Sequence, residues 1–274
     1  MKTIIVPTDF SASAANATNY AMNMALQVKA SVLLVHAYQL PIAINDDPPI
    51  LISIEELQDV ADTRLAELKK GLEHVTPAGL KIETVAQLGT VNEVLRELCE
   101  KIQPFVVIMG ATGHSGLDMA LFGSTLKSVI KHLTWPVIGV PRGKEYGHGI
   151  KNAGLVVDFR ELTQTLPLAA IRSFTESFGT TLYVLNLDLG NSLDKESKPV
   201  RSPLLESAFS PAALQYHFND TTDIDEDVNG FVEKNGLDIL ISIHKKHTFL
   251  ETVFKKDATN KLLFHSSVPL MSVT

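Results

Sequence analysis

The sequence sets short runs of β-branched and aliphatic residues against longer helical stretches, and it does so twice. Lys2 to Pro7, Ser31 to Ala37, Lys81 to Gln87, Phe105 to Met109 and Pro136 to Val140 form the first set of strand-like runs. Between them, Ser13 to Val28 carries Ala17, Ala21, Met24, Ala25 and Val28 at helical spacing. Ser53 with Glu56, and Thr90 with Glu93, have the spacing of capping boxes and open two more helices. Ser124 to Leu133 reads as a fourth. Apolar strands separated by helices imply a parallel sheet covered on both faces, a three-layer α/β/α fold.

The second half repeats the programme with erosion. Gly154 to Asp158 matches the first strand and its terminal Asp9, and Thr181 to Leu187 matches the second. Ile239 to Ile243 matches the fourth strand and Val268 to Val273 the fifth, and pairing Pro136 with Pro269 lets the two stretches run alongside without a gap. The expected architecture is two Rossmann-like parallel-sheet domains in tandem, each with strand order 3-2-1-4-5. Their bounds are 1–143 and 151–274, with 144–150 as a linker. The fifth strands are expected to pair edge to edge, giving an intramolecular pseudo-dimer and covering exposed sheet edges. A homodimer of the whole chain is a further option. Asn191 to Pro203 is expected to be a loop.

Composition removes several classes of function. Lys and Arg number 24 against 31 Asp and Glu, a net charge of −7, which argues against a general nucleic-acid surface. No uninterrupted apolar stretch is long enough for a transmembrane helix, and the apolar run at the N-terminus is too short for a signal-peptide core. Neither a membrane nor a nucleic acid is therefore an expected partner, and the expected location is the cytoplasm. The single cysteine, Cys99, excludes an intramolecular disulfide framework and a multi-cysteine metal site. Its helical neighbours Leu95, Leu98 and Ile102 make a buried, inert thiol the expectation.

Chemistry concentrates after the fourth strand, at Gly110-Ala111-Thr112-Gly113-His114-Ser115-Gly116 and at Gly123-Ser124-Thr125. Gly110 and Gly113 permit positive φ and close approach of a ligand to the backbone. Gly123-Ser124 places free N–H groups and a hydroxyl at a helix N-terminus, where phosphate is favoured. No Gly-Lys-Ser/Thr follows, so this is not a Walker A loop, and it is not the G-x-G-x-x-G dinucleotide fingerprint. In a doubly wound sheet, ligands bind at the carboxyl ends of the strands where the strand order reverses. With order 3-2-1-4-5 that crevice lies between strands one and four, so Thr8-Asp9 and Gly110 to Gly113 converge.

Pro7-Thr8-Asp9-Phe10-Ser11, together with G-x2-G-x9-G-S from Gly110 through Gly113 to Gly123-Ser124, resembles the universal stress protein family. Val32-Leu33-Leu34-Val35-His36-Ala37 is similar to that family's second strand. The resemblance is close over residues 1–143 and weak beyond. It implies an adenine-nucleotide ligand, ATP, ADP or AMP, with Mg2+ as an accompanying ion, and a role in stress sensing or regulation. By that resemblance Asp9 contacts the ribose and adenine side, Pro7 and Thr8 shape the wall, and Ala37 meets adenine through its main chain. Met109, Gly110, Gly113, His114, Gly123, Ser124 and Thr125 complete the implied set around ribose and phosphate. One departure is Leu126, where the family often has Ser or Thr, and the lost hydroxyl weakens the case for triphosphate over AMP or ADP.

The second copy departs further. Ungapped pairing puts Ile243, Lys246 and Lys256 where the three glycines stand and Asp257 opposite Ser124, so no nucleotide is expected there in this mode. Other residues have plainer readings. Asp9 serves equally well as the cap of the following helix. His36 reads as a hydrogen-bonded core or pocket-edge residue, and His114 as a loop histidine without a catalytic role. His244 and His247 lack a carboxylate partner for a metal. The acidic run Asp223 to Asp227 is expected to precede a helix and favour its dipole. No catalytic residue is expected, because no nucleophile-base-orienter set is recognisable. Two alternatives to nucleotide sensing stand beside it: a slow ATP hydrolase or nucleotidyl-transfer enzyme, and an interaction protein that binds no nucleotide.

Overall fold

The computed structural model describes residues 2–40, 53–77, 79–111, 123–157, 159, 162, 167–186, 201–210, 212, 214–218, 224–243 and 267–274. The first half runs β1 (Thr3–Pro7), α1 (Ala12–Val28), β2 (Ser31–Tyr38), α2 (Ile54–Val75), β3 (Ile82–Leu88), α3 (Val91–Ile102), β4 (Val106–Gly110), α4 (Ser124–His132) and β5 (Val137–Val140). The second runs β6 (Asn152–Val157), α5 (Leu168–Phe178), β7 (Thr181–Asn186), α6 (Pro203–Phe209), β8 (Gln215–Phe218), α7 (Ile224–Asn235), β9 (Ile239–Ile243) and β10 (Leu270–Val273). Among the described residues no helix is long and apolar enough to cross a membrane.

The ten described strands form one sheet in the order β3-β2-β1-β4-β5-β10-β9-β6-β7-β8. Each half therefore has the order 3-2-1-4-5, and pairing within each half is parallel. At the centre β5 and β10 run antiparallel, with Met271 opposite Ile138 and Ser272 opposite Val137. The first half's strand carboxyl ends consequently lie on the same rim as the second half's strand amino ends.

Alternation along the strands sends side chains into two core layers. Ile4, Val6, Leu34 and Ile108 face α1, in a cluster that continues without a break to Leu155, Ile171 and Phe174 of the second half. Ile5, Val35 and Val107 face the opposite way, toward Leu95 and Cys99 of α3 and Leu126 and Val129 of α4. Both expected capping boxes are present, Ser53 with Glu56 and Thr90 with Glu93.

The expected order requires a third strand in the second half, and it is β8, at a position the sequence pattern did not mark. Two other expectations change. Of the segment expected as a loop, residues 191–200 lie outside the described residues and Pro203 is the first residue of α6, capped by the Ser202 hydroxyl. The acidic run overlaps its helix instead of preceding it: Asp225, Glu226 and Asp227 fall in the first turn of α7, where acidic residues still suit its dipole, and Asp223 lies outside the described residues.

Candidate functional site

The carboxyl ends of β1 and β4 are adjacent, because Ile4 and Ile5 pair with Val106 and Val107. Above them a cavity of about 180 Å3 is lined by Pro7, Thr8 and Asp9, by Ala37 at the end of β2, and by Met109 and Gly110 of β4. Ser124 and Thr125 of α4 close it. Eight of the expected site residues thus share one cavity. Gly123 is the N-cap of α4, and Gly113 and His114, with Thr112 and Ser115, lie outside the described residues.

The β1–α1 turn is held by its own side chains. Thr8 extends the parallel pairing by donating its N–H to Val35 at 2.8 Å, and its Oγ1 accepts from the Phe10 N–H at 3.0 Å. Asp9 accepts from the Ser11 N–H at 3.0 Å, and Ser11, not Asp9, caps α1 by accepting from the Ala14 N–H at 3.2 Å. The capping reading of Asp9 therefore fails, and its carboxylate stands exposed at the cavity mouth. Burial pushes the Asp9 carboxyl up, but hydrogen bonds from Ser11 and from its own backbone, with the nearby His36, outweigh it and hold the group below the ordinary value. Phe10 takes φ +63°, a left-handed conformation rare outside glycine. Its ring is gripped between the Arg64 guanidinium at 4.0 Å and the His36 ring at 4.7 Å. His36 donates from Nδ1 to the Thr8 carbonyl at 2.8 Å, the half-buried structural role expected of it.

Gly110 serves a different purpose from the one its position suggested. It does not adopt positive φ. An added Cβ would stand 2.5 Å from the Ser13 carbonyl oxygen, so the glycine lets α1 cross directly over the end of β4. Ser13 then donates from Oγ to the Ala111 carbonyl at 3.0 Å. Gly123 likewise has ordinary extended angles, φ −61° and ψ 161°, and brings no side-chain cap. Lys127 is the residue whose N–H returns to the Gly123 carbonyl, leaving the amides of the first turn directed out of the helix end toward the cavity.

A second cavity of about 470 Å3 continues the first, sharing Ala37, Val91, Ser124 and Thr125 and adding Gln39, Gly89, Thr90, Asn92 and Ser128. Sequence reasoning missed this wall. The available signal was strand order: β3 lies next to β2, so the Gly89-Thr90 turn after it must reach the same rim. Asn92 donates to Ser128 Oγ at 2.7 Å, tying α3 to α4. Among the described lining residues of both cavities, Asp9 alone is ionisable. Leu126 lines the first cavity and is itself 1% exposed, packed into the core beneath.

The second half is built otherwise. Val156 and Val157 pair with Leu185 and Asn186, the register in which Pro7 pairs with Val35. Asn186 occupies the place of His36, and its Oδ1 accepts from the Phe159 N–H at 2.9 Å. Ile243 is buried at the end of β9, whereas Asp158, His244, Lys246, His247, Lys256 and Asp257 lie outside the described residues. Cys99 is fully buried, and burial pushes its thiol up to about 12.

Comparison with known proteins identifies the family and the fold. Residues 1–141 match the model of the universal stress protein family. Universal stress protein MJ0531 of Methanocaldococcus jannaschii is 29% identical over 146 residues, covering 53% of this chain and 84% of that protein. A universal stress protein structure from Archaeoglobus fulgidus shares the fold along 99% of this chain and 96% of its own, with a TM-score of 0.70 at 16% identity. A family structure from Arabidopsis thaliana, described with AMP bound, covers 52% of this chain and 93% of its own, at 16% identity and a TM-score of 0.37. The family model spans more than half of the chain, and the chain belongs to the universal stress protein family.

Proposed function

We propose that the cleft at the carboxyl ends of β1, β2 and β4 binds an adenine nucleotide, and that this binding serves a sensing or regulatory role in the stress response. One observation carries the reading: Asp9, Ala37, Gly110 and Ser124, far apart in sequence, line a single cavity at the point where the strand order reverses. In this reading the base lies against Val91 and Met109 and meets the Ala37 main chain, while the Asp9 carboxylate accepts from ribose hydroxyls. The free amides of α4 and the hydroxyls of Ser124 and Thr125 hold phosphate. Gly113 and His114 extend that contact from the loop between β4 and α4.

The described lining offers one carboxylate, too few for a dedicated Mg2+ site, so Mg2+ would arrive on the phosphates of ADP or ATP. With Leu126 turned into the core, that position adds no hydroxyl for a third phosphate, which supports AMP or ADP beside ATP. Among the described lining residues no pair is arranged as nucleophile and base, and the reading is of binding rather than rapid turnover. The two halves act as a pseudo-dimer in the cytoplasm, one binding copy beside one scaffold copy.

Intact-complex mass spectrometry of freshly purified protein tests the proposal. The expected result is a mass increase equal to an adenine nucleotide, lost in Asp9→Ala. Neither a mass increase nor thermal stabilisation by ATP, ADP or AMP would overturn it.

A further inference from the structure

A cavity of about 400 Å3 lies against the segment joining β5 to β6, and it shares no residue with the nucleotide cleft. Its walls are fixed by the fold. Asn16 of α1 donates through Nδ2 to the carbonyls of Pro141 at 3.1 Å and Lys144 at 3.3 Å. Tyr146 meets Tyr20 edge-on at 5.0 Å, and its hydroxyl donates to Gln27. Gly149 sits at φ +93° with the Gln27 side chain where a Cβ would be, so the turn requires glycine. On the far wall, Asp238 Oδ2 accepts from the N–H groups of Lys151 at 2.7 Å and Asn152 at 2.9 Å.

One polar group in this arrangement is left over. Tyr20 lines the cavity and is 3% exposed, yet its hydroxyl makes no hydrogen bond to any described residue. Burial, with Tyr146 and Asp238 close by, keeps that hydroxyl protonated. The hydroxyl itself is not sealed in the core, so it opens onto the cavity, where it is free to meet a ligand's polar group. Asp238 also retains Oδ1 without a partner among the described residues, so a donor placed between the two would satisfy both.

The charges around the cavity are balanced. Lys144 and Lys151 supply two cations, Glu145 and Asp238 two anions, and His148 stands at the rim. A simple anion or cation would meet an unfavourable charge on one side, whereas a molecule carrying both signs would not. A volume of this size falls within the range of about 300–1,000 Å3 usual for small-molecule sites. We propose that this cavity binds a small zwitterion of the α-amino acid class. Its ammonium group lies between Asp238 Oδ1 and the Tyr20 hydroxyl, and its carboxylate faces Lys144 and Lys151.

The test uses the full chain and the twenty protein amino acids, each added singly, with binding measured by calorimetry and thermal shift. At least one is expected to bind with a Kd below about 1 mM. Tyr20→Phe should weaken it by about fivefold or more, the loss of one hydrogen bond, with the unfolding midpoint as a control for folding. Lys144→Met, at a half-buried position between β5 and β6, should weaken it as well. Acetate and ethylamine, each carrying half of the charge pattern, should not compete at equal concentration. Absence of binding at about 10 mM of every amino acid would overturn the proposal. So would unchanged binding in both variants, or equal competition by acetate or ethylamine.

Discussion

The carbonyl oxygen of Ser13 lies 2.5 Å, and its hydroxyl oxygen 2.4 Å, from the point a Cβ would take on Gly110, so the first turn of α1 and the end of β4 meet with no room for a side chain on the strand. That contact sets the depth of the cleft, because Ser13, Gly110 and Thr8 all line it. Gly110→Ala is expected to push α1 outward and destabilise the chain by about 1–3 kcal/mol, the usual cost of overpacking. Adding Ser13→Ala removes the hydroxyl at 2.4 Å but leaves the backbone carbonyl oxygen at 2.5 Å, so it should restore only part of the loss. Urea unfolding of the single and double variants checks this, and full recovery in the double variant would place the obstruction in the hydroxyl alone.

At Gly123 the expected effects on stability and binding have opposite signs. The residue caps α4 with φ −61° and ψ 161°, angles any residue adopts, and gives no side-chain cap. Gly123→Asp supplies a capping carboxylate and should raise stability by a few tenths of a kcal/mol. The same carboxylate faces the phosphate and should lower nucleotide affinity at least tenfold, about 1.4 kcal/mol. Calorimetric titration with AMP, paired with thermal unfolding, reads both. Equal loss in the two would instead mean that the turn had collapsed.

Much of this was legible in the sequence, and the failures have physical causes. Ser53 with Glu56 and Thr90 with Glu93 announced their helices because a capping box is a local interaction. The convergence of Asp9 with Gly110 followed from strand order alone. The reason for Gly110 did not, because a close approach by Ser13 depends on how a helix crosses a strand, which no local pattern encodes. Ser11 displaced Asp9 as the α1 cap by a two-residue shift, within the span over which short polar side chains compete for the same free amides. The strand Gln215–Phe218 escaped notice because four residues at a sheet edge carry too little apolar pattern. The Thr90–Asn92 wall was missed because its chemistry is neutral and belongs to no recognisable motif.

Asp9 gives a pH dependence with a definite sign. Its native carboxyl lies below the ordinary 3.8 of the unfolded chain, so the native state favours the ionised form. That contribution is complete above pH 3.8 and is lost as pH falls through the lowered native value. The stability difference between the native sequence and Asp9→Asn should therefore stay constant above this pH and narrow below it. Urea midpoints measured across the acid range decide, and a difference that widens on acidification would reverse the assignment.

Cys99 should be silent in the folded protein. Its thiol is raised to about 12 from 9.0 by burial between α3 and the sheet, so almost no thiolate is available near neutral pH. Labelling by Ellman's reagent at about pH 8 should proceed only as fast as global unfolding, and should become rapid in denaturant. Because the unfolded thiol ionises above 9.0 and the native one does not, stability should also decline as pH rises from there toward 12. Fast labelling under native conditions would show local opening of α3.

The two halves should unfold together, since their core is continuous. Phe174 of α5 is 1% exposed and stacks on Phe105 of the first half at 5.9 Å and 14°, with Phe178 beside it at 4.8 Å. Lys2 lies over the Phe105 ring at 4.7 Å and donates to Ser177, fastening β1's entry to the same helix. Phe174→Ala removes a fully buried ring and should cost about 3–5 kcal/mol. The lone tryptophan, Trp135, lies in the first half and packs on the opposite core layer, far in sequence from the substitution. If the sheet and the Phe105 stack bind the halves into one cooperative unit, Trp135 fluorescence should report the full loss, with its midpoint falling alongside far-UV circular dichroism. A Trp135 transition that stays in place while the circular dichroism splits into two steps would show that the first half folds independently of the second.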